Sequence, residues 1–382
     1  MFAIFKTFFL LGWISFGGPA AHIGYFRQTF VEKRKWLDDA DYAQLVALSQ
    51  FLPGPGSSQV GFALGYKRGG LSGGCAAFIG FTLPSVIIMV LMALMASQVT
   101  DTSVFQNLVH GLKLLAIVVV ADAARGMYKN FCKSSLTVGV CVITAIALLL
   151  LPGLFTQMAV LLLAALIGVF YLRGSAQKVH SSATFKASWL PLVVFAGLFI
   201  GLPFVAHLSP SAALFNDFYQ AGSLVFGGGH VVLPLLQNIV GDILSQDTFL
   251  TGYAAAQAVP GPMFTVATYL GYALMPANPV TGALVATLAV FLPGFLLLLG
   301  VLKNWQQLAN RPAVAGALSG VNAAVVGLLV AALYQPVFTS AVTSAQDIAL
   351  ILVGFYLLKH LKLHIVWLVI TFMVAGVAQG FL

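Results

Sequence analysis

The sequence is poor in charge, since only 7% of its 382 residues are Asp, Glu, Lys or Arg, against about 25% in soluble domains. This scarcity excludes an ordinary soluble fold. Apolar runs such as Gly74–Ala96, Ala283–Val301 and Ile365–Leu382 approach or exceed the ~20 residues that a helical span needs. The runs are continuous rather than alternating, which excludes a transmembrane β-barrel. We therefore predict an all-α polytopic membrane protein.

Common catalytic and cofactor motifs are also missing. The chain has no G-x-x-x-x-G-K-[ST] stretch, which excludes ATP hydrolysis through a P-loop. Its few acidic residues are scattered outside Asp38–Asp41, so no enzyme is indicated. The three cysteines, Cys75, Cys132 and Cys141, show no metal spacing, and no metal or cofactor is expected. Despite a net charge of +8, nucleic acid is not the expected partner, because the basic residues form short clusters typical of cytoplasmic loops.

What the chain does contain is an internal duplication. Landmarks of the first half return in the same order 207 to 210 residues later. We expect a first repeat at 1–172, a linker with an extra transmembrane segment at 173–209, and a second repeat at 210–382, with about 13 hydrophobic segments in all. The paired landmarks are Ser15–His22 with Val225–Val232, Gln50–Ser58 with Gln257–Thr265, Phe81–Ser85 with Val290–Gly294, and Gly111 with Gly320.

The basic residues predict how the repeats lie in the membrane, because Lys and Arg favour cytoplasmic loops. The loop after the third element has none in the first half, at 98–106, but carries Lys303 in the second half. Equivalent loops on opposite sides indicate inverted-topology repeats, as in many secondary transporters; a parallel duplication is the alternative. Basic clusters at Lys33–Lys35 and Lys67–Arg68 flank the first Pro-Gly-Pro. They favour a re-entrant hairpin there and another at Phe16–Pro19, although plain spans fit the hydropathy too.

These broken helices form the predicted substrate site. Non-helical backbone at membrane depth is tolerated where protein or a water-filled cavity satisfies it, and a helix beginning there directs free N–H groups at an anion. Four breaks, two per repeat, are expected to converge near the midplane. The predicted substrate-binding residues are Gly17, Gly18, His22, Arg27, Gln50, Pro53, Gly54, Pro55, Gly56, Ser57, Ser58 and Lys113 in the first repeat, and Gly227, Gly228, Gly229, His230, Gln257, Pro260, Gly261, Pro262, Thr265 and Asn322 in the second.

Several of these residues also have a structural interpretation. Lys113, whose repeat partner is Asn322, either faces the substrate or snorkels to the interface. His22 and His230 either donate to the anion, carry a coupling proton, or are simply buried and hydrogen-bonded. Arg27 either lines the cytoplasmic mouth or contacts a lipid headgroup.

The sequence does not decide the interactions of two further pairs of polar residues. Gln50 and Gln257 precede the two breaks, where they either satisfy free carbonyls or hold the anion. Asp122 and Arg125 are spaced to pair along one helix face.

The motifs "SFGGPAAHIGYFRQTFVEKRKWLDDADYAQLVALSQFLPGPGSSQVGFALGY", "FGGGHVVLPLL" and "QAVPGPMFTVATYLGY" together resemble the chromate ion transporter family in its long two-domain form. The likeness covers essentially the whole chain. It implies a bacterial or archaeal plasma (inner) membrane protein, a secondary transporter that exports chromate and confers chromate resistance. Sulfate is the related oxyanion and the expected competitor. Only the resemblance supplies the name chromate.

Other functions stay open at this level. A sulfate or other oxyanion uptake carrier, or an anion channel of the same architecture, fits the same residues as chromate efflux. The lipid bilayer is the surrounding partner. A homodimer is compatible with the chain, but the small residues that build membrane helix interfaces occur throughout it, so the oligomeric state is not predicted.

Overall fold

The computed structural model describes residues 1–16, 18–99, 103–172, 188–225, 235–237, 243–302 and 311–380. Every regular element in these ranges is a helix, which confirms the predicted all-α class. The main helices are α1 (Phe2–Ile14), α2 (Gly18–Phe26), α3 (Asp39–Phe51), α4 (Gly56–Val99), α5 (Ser103–Phe131), α6 (Ser135–Leu150), α7 (Leu154–Tyr171), α8 (Trp189–Val205), α9 (Pro210–Leu224), α10 (Gln246–Ala258), α11 (Val266–Leu274), α12 (Pro279–Val301), α13 (Pro312–Ala332), α14 (Ala345–Lys359) and α15 (Ile365–Gln379). Short π-helical segments extend α2 through Arg27–Lys33 and α13 through Leu333–Phe338.

The helices fall into long and short classes. Within the described ranges, 5 helical segments are long and apolar enough to cross a membrane, belonging to α4, α5, α8, α12 and α13. By contrast, α1 and α3 have 13 residues each, which at the rise of an α-helix is about 20 Å, short of the ~30 Å hydrocarbon core. The chain is therefore a multi-pass membrane protein that combines full spans with half-length arms.

Helix starts are fixed by polar residues in the connections. Ser134 and Ser344 form capping boxes at the starts of α6 and α14. Side chains of Asp38, Ser209 and Ser245 accept a backbone N–H at the starts of α3, α9 and α10. Such caps satisfy N–H groups that the first helical turn leaves free.

The duplication seen in the sequence is also present in the packing. At Gly12 of α1, an added Cβ would press on the carbonyl oxygen of Phe81 in α4. At Gly222 of α9, an added Cβ would press on the carbonyl oxygen of Val290 in α12. These glycines and carbonyls are equivalent by the repeat offset, so each repeat packs its first helix on its long helix in the same way.

The two repeats also exchange helices. Gly111 of α5 lies against Phe372 and Gly376 of α15, while the equivalent Gly320 of α13 lies against α7. In both places a glycine lets one backbone approach another closely, as small residues do in membrane helix pairs. The first repeat thus supplies the partner of α13, and the second repeat supplies the partner of α5.

A histidine–carboxylate hydrogen bond and an ion pair join α5 to α14 at separated positions. His110 Nε2 lies 2.8 Å from Asp347 Oδ1, and the Lys359 ammonium contacts the Asp122 carboxylate. Both residue numbers increase together along the two helices, so α5 and α14 run in the same direction. Asp122 therefore pairs with the second repeat rather than with Arg125.

We predict that Gly111→Ala lowers the stability of the folded protein by about 1–3 kcal/mol, the usual effect of overpacking a tight contact. The added methyl group has no room, because the Phe372 carbonyl of α15 already touches that position. The measurement is the unfolding temperature of detergent-solubilised protein, followed by size-exclusion chromatography after heating.

Gly126→Ala is the matched control on the same helix, because nothing lies within 4 Å of its added Cβ. It should be neutral or slightly stabilising, as expected for Gly→Ala in a helix. Equal unfolding temperatures for the two variants would show that the exchanged helices do not depend on this contact.

Candidate functional site

The helix breaks are short loops at the ends of the half-length arms. The first break follows α3 and precedes α4, and the second lies between α10 and α11. Gly54 has a φ of 108° and Gly261 a φ of 99°, in the left-handed region where glycine avoids a steric penalty. The central glycine of each Pro-Gly-Pro therefore allows the chain to turn.

Each break is closed by the other repeat. The Gly54 N–H donates to the Val225 carbonyl oxygen at 2.7 Å, and the Gly261 N–H donates to the Ser15 carbonyl oxygen at 2.8 Å. Gly54 and Gly261 are repeat equivalents, and so are Ser15 and Val225. The two hydrogen bonds thus form a crossed pair, which brings the breaks of both repeats together.

Side chains of the long helices also hydrogen-bond to backbone carbonyls at and beside the breaks. Ser85 of α4 donates to the Pro260 carbonyl at 2.7 Å. The Gln59 amide donates to the Pro53 carbonyl at 2.8 Å and to the Gly294 carbonyl of α12 at 3.0 Å. Carbonyls that helix breaks leave free at membrane depth thereby obtain protein donors.

His22 connects the FGG break to the first Pro-Gly-Pro break. Its ring is fully buried, with Nε2 3.0 Å from the Ser15 carbonyl oxygen and Nδ1 3.1 Å from Ser57 Oγ. A carbonyl only accepts, so Nε2 carries the proton in that contact, and the Ser57 hydroxyl donates to Nδ1 of the neutral ring. The Phe81 ring lies edge-on to the imidazole, with centroids 5.2 Å apart.

Three buried hydroxyls near this junction have no hydrogen-bond partner among the described residues: Ser15, Ser58 and Thr82. Their residues are at most 3% exposed. Ser15 precedes the FGG break, Ser58 lies in the first turn of α4, and Thr82 follows Phe81. Buried polar groups usually have partners, so this group of donors is the feature most suited to holding an anion.

Four polar residues at this junction were not predicted as site residues: Ser15, Gln59, Thr82 and Ser85. Ser15, Thr82 and Ser85 lie within the repeated landmarks, and Gln59 follows the Ser57-Ser58 pair. The landmarks could have drawn attention to these segments but not to the hydroxyls, because the equivalent residues of the second repeat are Val225, Phe291 and Gly294.

The other predicted site residues lie at varying distances from the junction. Thr265 donates its hydroxyl to the Pro262 carbonyl at 2.8 Å, inside the second break. Gln50 is exposed, whereas Gln257 hydrogen-bonds the Tyr253 side chain. Gln59, rather than Gln50, donates to a free carbonyl of the first break. Asn322 is half-buried on α13.

Both predicted cations are already paired. Arg27 donates to Asp39 at 2.8 Å and to Glu32 at 2.6 Å, and the Lys113 ammonium contacts Asp247. Asp247 lies in the first turn of α10, about 16 Å by helix rise from the end of α10 at the break. Lys113 thus faces the base of this arm. Gly17, Gly227, Gly228, Gly229 and His230 lie outside the described residues.

Helix α4 is interrupted by non-helical backbone at Gly69 and Gly70, so residues 56–68 form its first arm. Charged contacts gather where α3 begins and this first arm ends. Lys67 pairs with Asp41 at 2.9 Å, and the guanidinium groups of Arg34 and Arg68 lie 6.0 and 5.7 Å from the centroid of the Trp36 ring. These contacts place both basic clusters at the same end of the arms, opposite the break.

Broken helices that meet between two repeats of a multi-pass membrane protein define a membrane transport protein. The chromate transporter family model matches residues 2–169 and 212–377. The chain belongs to the chromate transporter family, and the resemblance drawn from its motifs is confirmed.

Relatives match along most of their length. A Methanocaldococcus jannaschii protein, named an uncharacterized transporter, is 28% identical over 98% of this chain and 93% of its own. A chromate transport protein of Cupriavidus metallidurans is 27% identical over 93% and 87%, and a probable chromate transport protein of Synechococcus elongatus is 28% identical over 86% and 82%. No solved structure matches the chain significantly.

We predict that Gln59→Leu destabilises the protein by about 1–3 kcal/mol, because the Pro53 carbonyl at the first break loses its donor. The same amide also donates to the Gly294 carbonyl, which lies inside the continuous helix α12. Thermal unfolding in detergent measures the loss. Gln50→Leu, at an exposed position of the same arm, should leave the unfolding temperature near that of the wild type, and an equal effect of the two substitutions would contradict the assignment.

Proposed function

We propose that this protein is a secondary transporter that exports chromate from the cytoplasm through the junction of its helix breaks and so confers chromate resistance. The observation that carries the proposal is the group of buried, unpartnered hydroxyls of Ser15, Ser58 and Thr82. The names of the relatives from Cupriavidus and Synechococcus support chromate as the substrate.

The chemistry of the junction favours a fully deprotonated oxyanion. Serine and threonine hydroxyls can donate, and the first N–H groups of α4 have no partner within their own helix. The start of α4 adds a favourable dipole of about 0.3–1 kcal/mol, which is small against the desolvation of a dianion. Many donors must therefore act together, and the predicted residues of both breaks remain the proposed binding set, with Ser15 and Thr82 added.

The proposed arrangement of the repeats is inverted. The helical extension of α13 ends at Ala341 and α14 begins at Ala345, so in this arrangement the chain turns back there and α14 runs opposite to α13. The contacts His110–Asp347 and Asp122–Lys359 set α14 parallel to α5. By this route α5 and α13, which are repeat equivalents, run in opposite directions. The absence of Lys and Arg between residues 187 and 302 supports this arrangement. In it, the base of the hairpin of the second repeat lies on the side of the membrane away from the cytoplasm, where basic residues are disfavoured.

The remaining parts of the proposal follow from this arrangement. The half-length arms are re-entrant hairpins whose breaks lie near the midplane. Residues 1–172 and 210–382 are the repeats, with 173–209 as linker, in the plasma membrane of a bacterium or archaeon. An inside-negative potential of ~100 mV contributes roughly 4.6 kcal/mol to the exit of a dianion, so voltage alone can drive export.

We predict that sulfate competes with chromate far better than phosphate does. Sulfate is a tetrahedral dianion without a proton and can accept a hydrogen bond from every donor of the site. Hydrogen phosphate carries an O–H that needs an acceptor, so at least one group of the site must accept from it rather than donate to it. The measurement is radiolabelled chromate flux into inverted vesicles, driven by an imposed voltage, at increasing competitor concentrations. Equal competition by sulfate and phosphate would contradict the donor-rich site, and flux without saturation or countertransport would indicate a channel.

We also predict that Ser58→Ala raises the KM for chromate by about tenfold or more, since hydrogen bonds to charged groups contribute ~1.5–3 kcal/mol. Stability should change little, because no described group bonds to this hydroxyl. Ser72→Ala, an exposed serine of the same helix, is the control and should leave KM unchanged. An unaltered KM in Ser58→Ala would remove this residue from the proposed site.

A further inference from the structure

The bases of the two hairpins differ in how their carboxylates are paired. In the first repeat, Asp39 pairs with Arg27 and Asp41 with Lys67, both within the same repeat. In the second repeat no Lys or Arg occurs between residues 187 and 302. Asp247 at its hairpin base pairs instead with Lys113, a residue of the first repeat. In the proposed arrangement this hairpin base lies at the outer mouth of the transporter. The cation that pairs with its carboxylate therefore comes from the first repeat.

The two members of this pair differ in exposure. The Lys113 side chain is 12% exposed and the Asp247 side chain 65% exposed. Lys113 is thus largely enclosed by its neighbours, whereas most of the Asp247 side chain is in contact with solvent. If the two separate, Asp247 can be hydrated where it stands, but the Lys113 ammonium needs another partner.

A polar cavity borders Asp247. It has a volume of about 200 Å³, and its polar lining side chains are Gln106, Ser245, Asp247, Thr248, Thr251 and Tyr269. Lys113 is not a lining residue, but its ammonium contacts the Asp247 carboxylate. Hydroxyl and amide groups thus lie beside the carboxylate that pairs with Lys113.

We propose that Lys113 and the hydroxyls of this polar cavity form a second, outer oxyanion site, in which Asp247 acts as a built-in competitor for the Lys113 ammonium. This inference rests on the proposed export function and orientation. An arriving dianion displaces the Asp247 carboxylate, and the carboxylate returns as the dianion leaves. Competition from Asp247 thereby weakens the binding of the dianion at the outer site and promotes its release. The Asp247 carboxylate takes the place of the dianion on the Lys113 ammonium as the dianion leaves.

The test uses right-side-out membrane vesicles preloaded with radiolabelled chromate, with sulfate added outside as the probe. Asp247→Asn should lower the outer sulfate concentration that half-inhibits efflux by roughly two- to fivefold, the range that partly exposed ion pairs span. Lys113→Gln should raise it, and the double variant should behave like Lys113→Gln. Asp41→Asn, at the hairpin base of the other repeat, is the matched control and should leave outer inhibition unchanged.

Two results would overturn the inference while leaving the export function intact. One is saturable chromate efflux with the same outer inhibition in Asp247→Asn and Asp247→Ala as in the wild type. The other is an Asp247→Asn gain that persists when Lys113 is already glutamine. A complete lack of saturable chromate flux in the wild type would instead overturn the proposed function, and the outer site with it.

Discussion

The structure depends on one constraint: backbone groups exposed by a helix break at membrane depth need partners that are not bulk water. The crossed hydrogen bonds from Gly54 to Val225 and from Gly261 to Ser15 meet this need. Because each of these N–H groups finds its acceptor in the other repeat, neither repeat satisfies its central glycine on its own. The same bonds therefore hold the two halves together and form the junction between them.

The exchanged helices extend this interdependence beyond the junction. Helix α5 packs on α15 and α13 packs on α7, with Gly111 and Gly320 at the close approaches. Each repeat therefore contributes to the support of the other at two levels, in the breaks and in the long helices. A movement of one hairpin must be accommodated by partners in the other repeat, which couples the two faces of the site without a dedicated linking element.

Composition and the internal repeat were sufficient to predict the fold class and the positions at which the chain turns. Hydropathy indicated an all-helical membrane chain, and the offset landmarks identified Gly54 and Gly261, the glycines at which the chain turns. The partners across the repeats could not be predicted, because an offset shows that Ser15 and Val225 are equivalent but not which glycine each one accepts from. Asp122 illustrates the same limit: helix spacing favoured Arg125, whereas tertiary packing brought Lys359 to it. Thr82 lies within a repeated landmark, but its equivalent is Phe291, so the repeat does not mark its hydroxyl. Only tertiary packing shows that this hydroxyl is buried without a partner among the described residues.

The repeats differ most in charge, and this difference makes the two ends of the molecule unlike each other. The hairpin base of the first repeat carries several basic residues, whereas that of the second depends on Lys113 alone among the described residues, already neutralised by Asp247. In the proposed orientation, a dianion is attracted to the cytoplasmic mouth and meets less positive charge as it moves outward. Surface charges act over about 8 Å at physiological salt, so they raise the local concentration of the anion at the mouth without holding it at the centre. Fixed charge cannot set the direction of net transport, because it does not change the free-energy difference between the two sides. In the proposed export, the membrane potential supplies that difference.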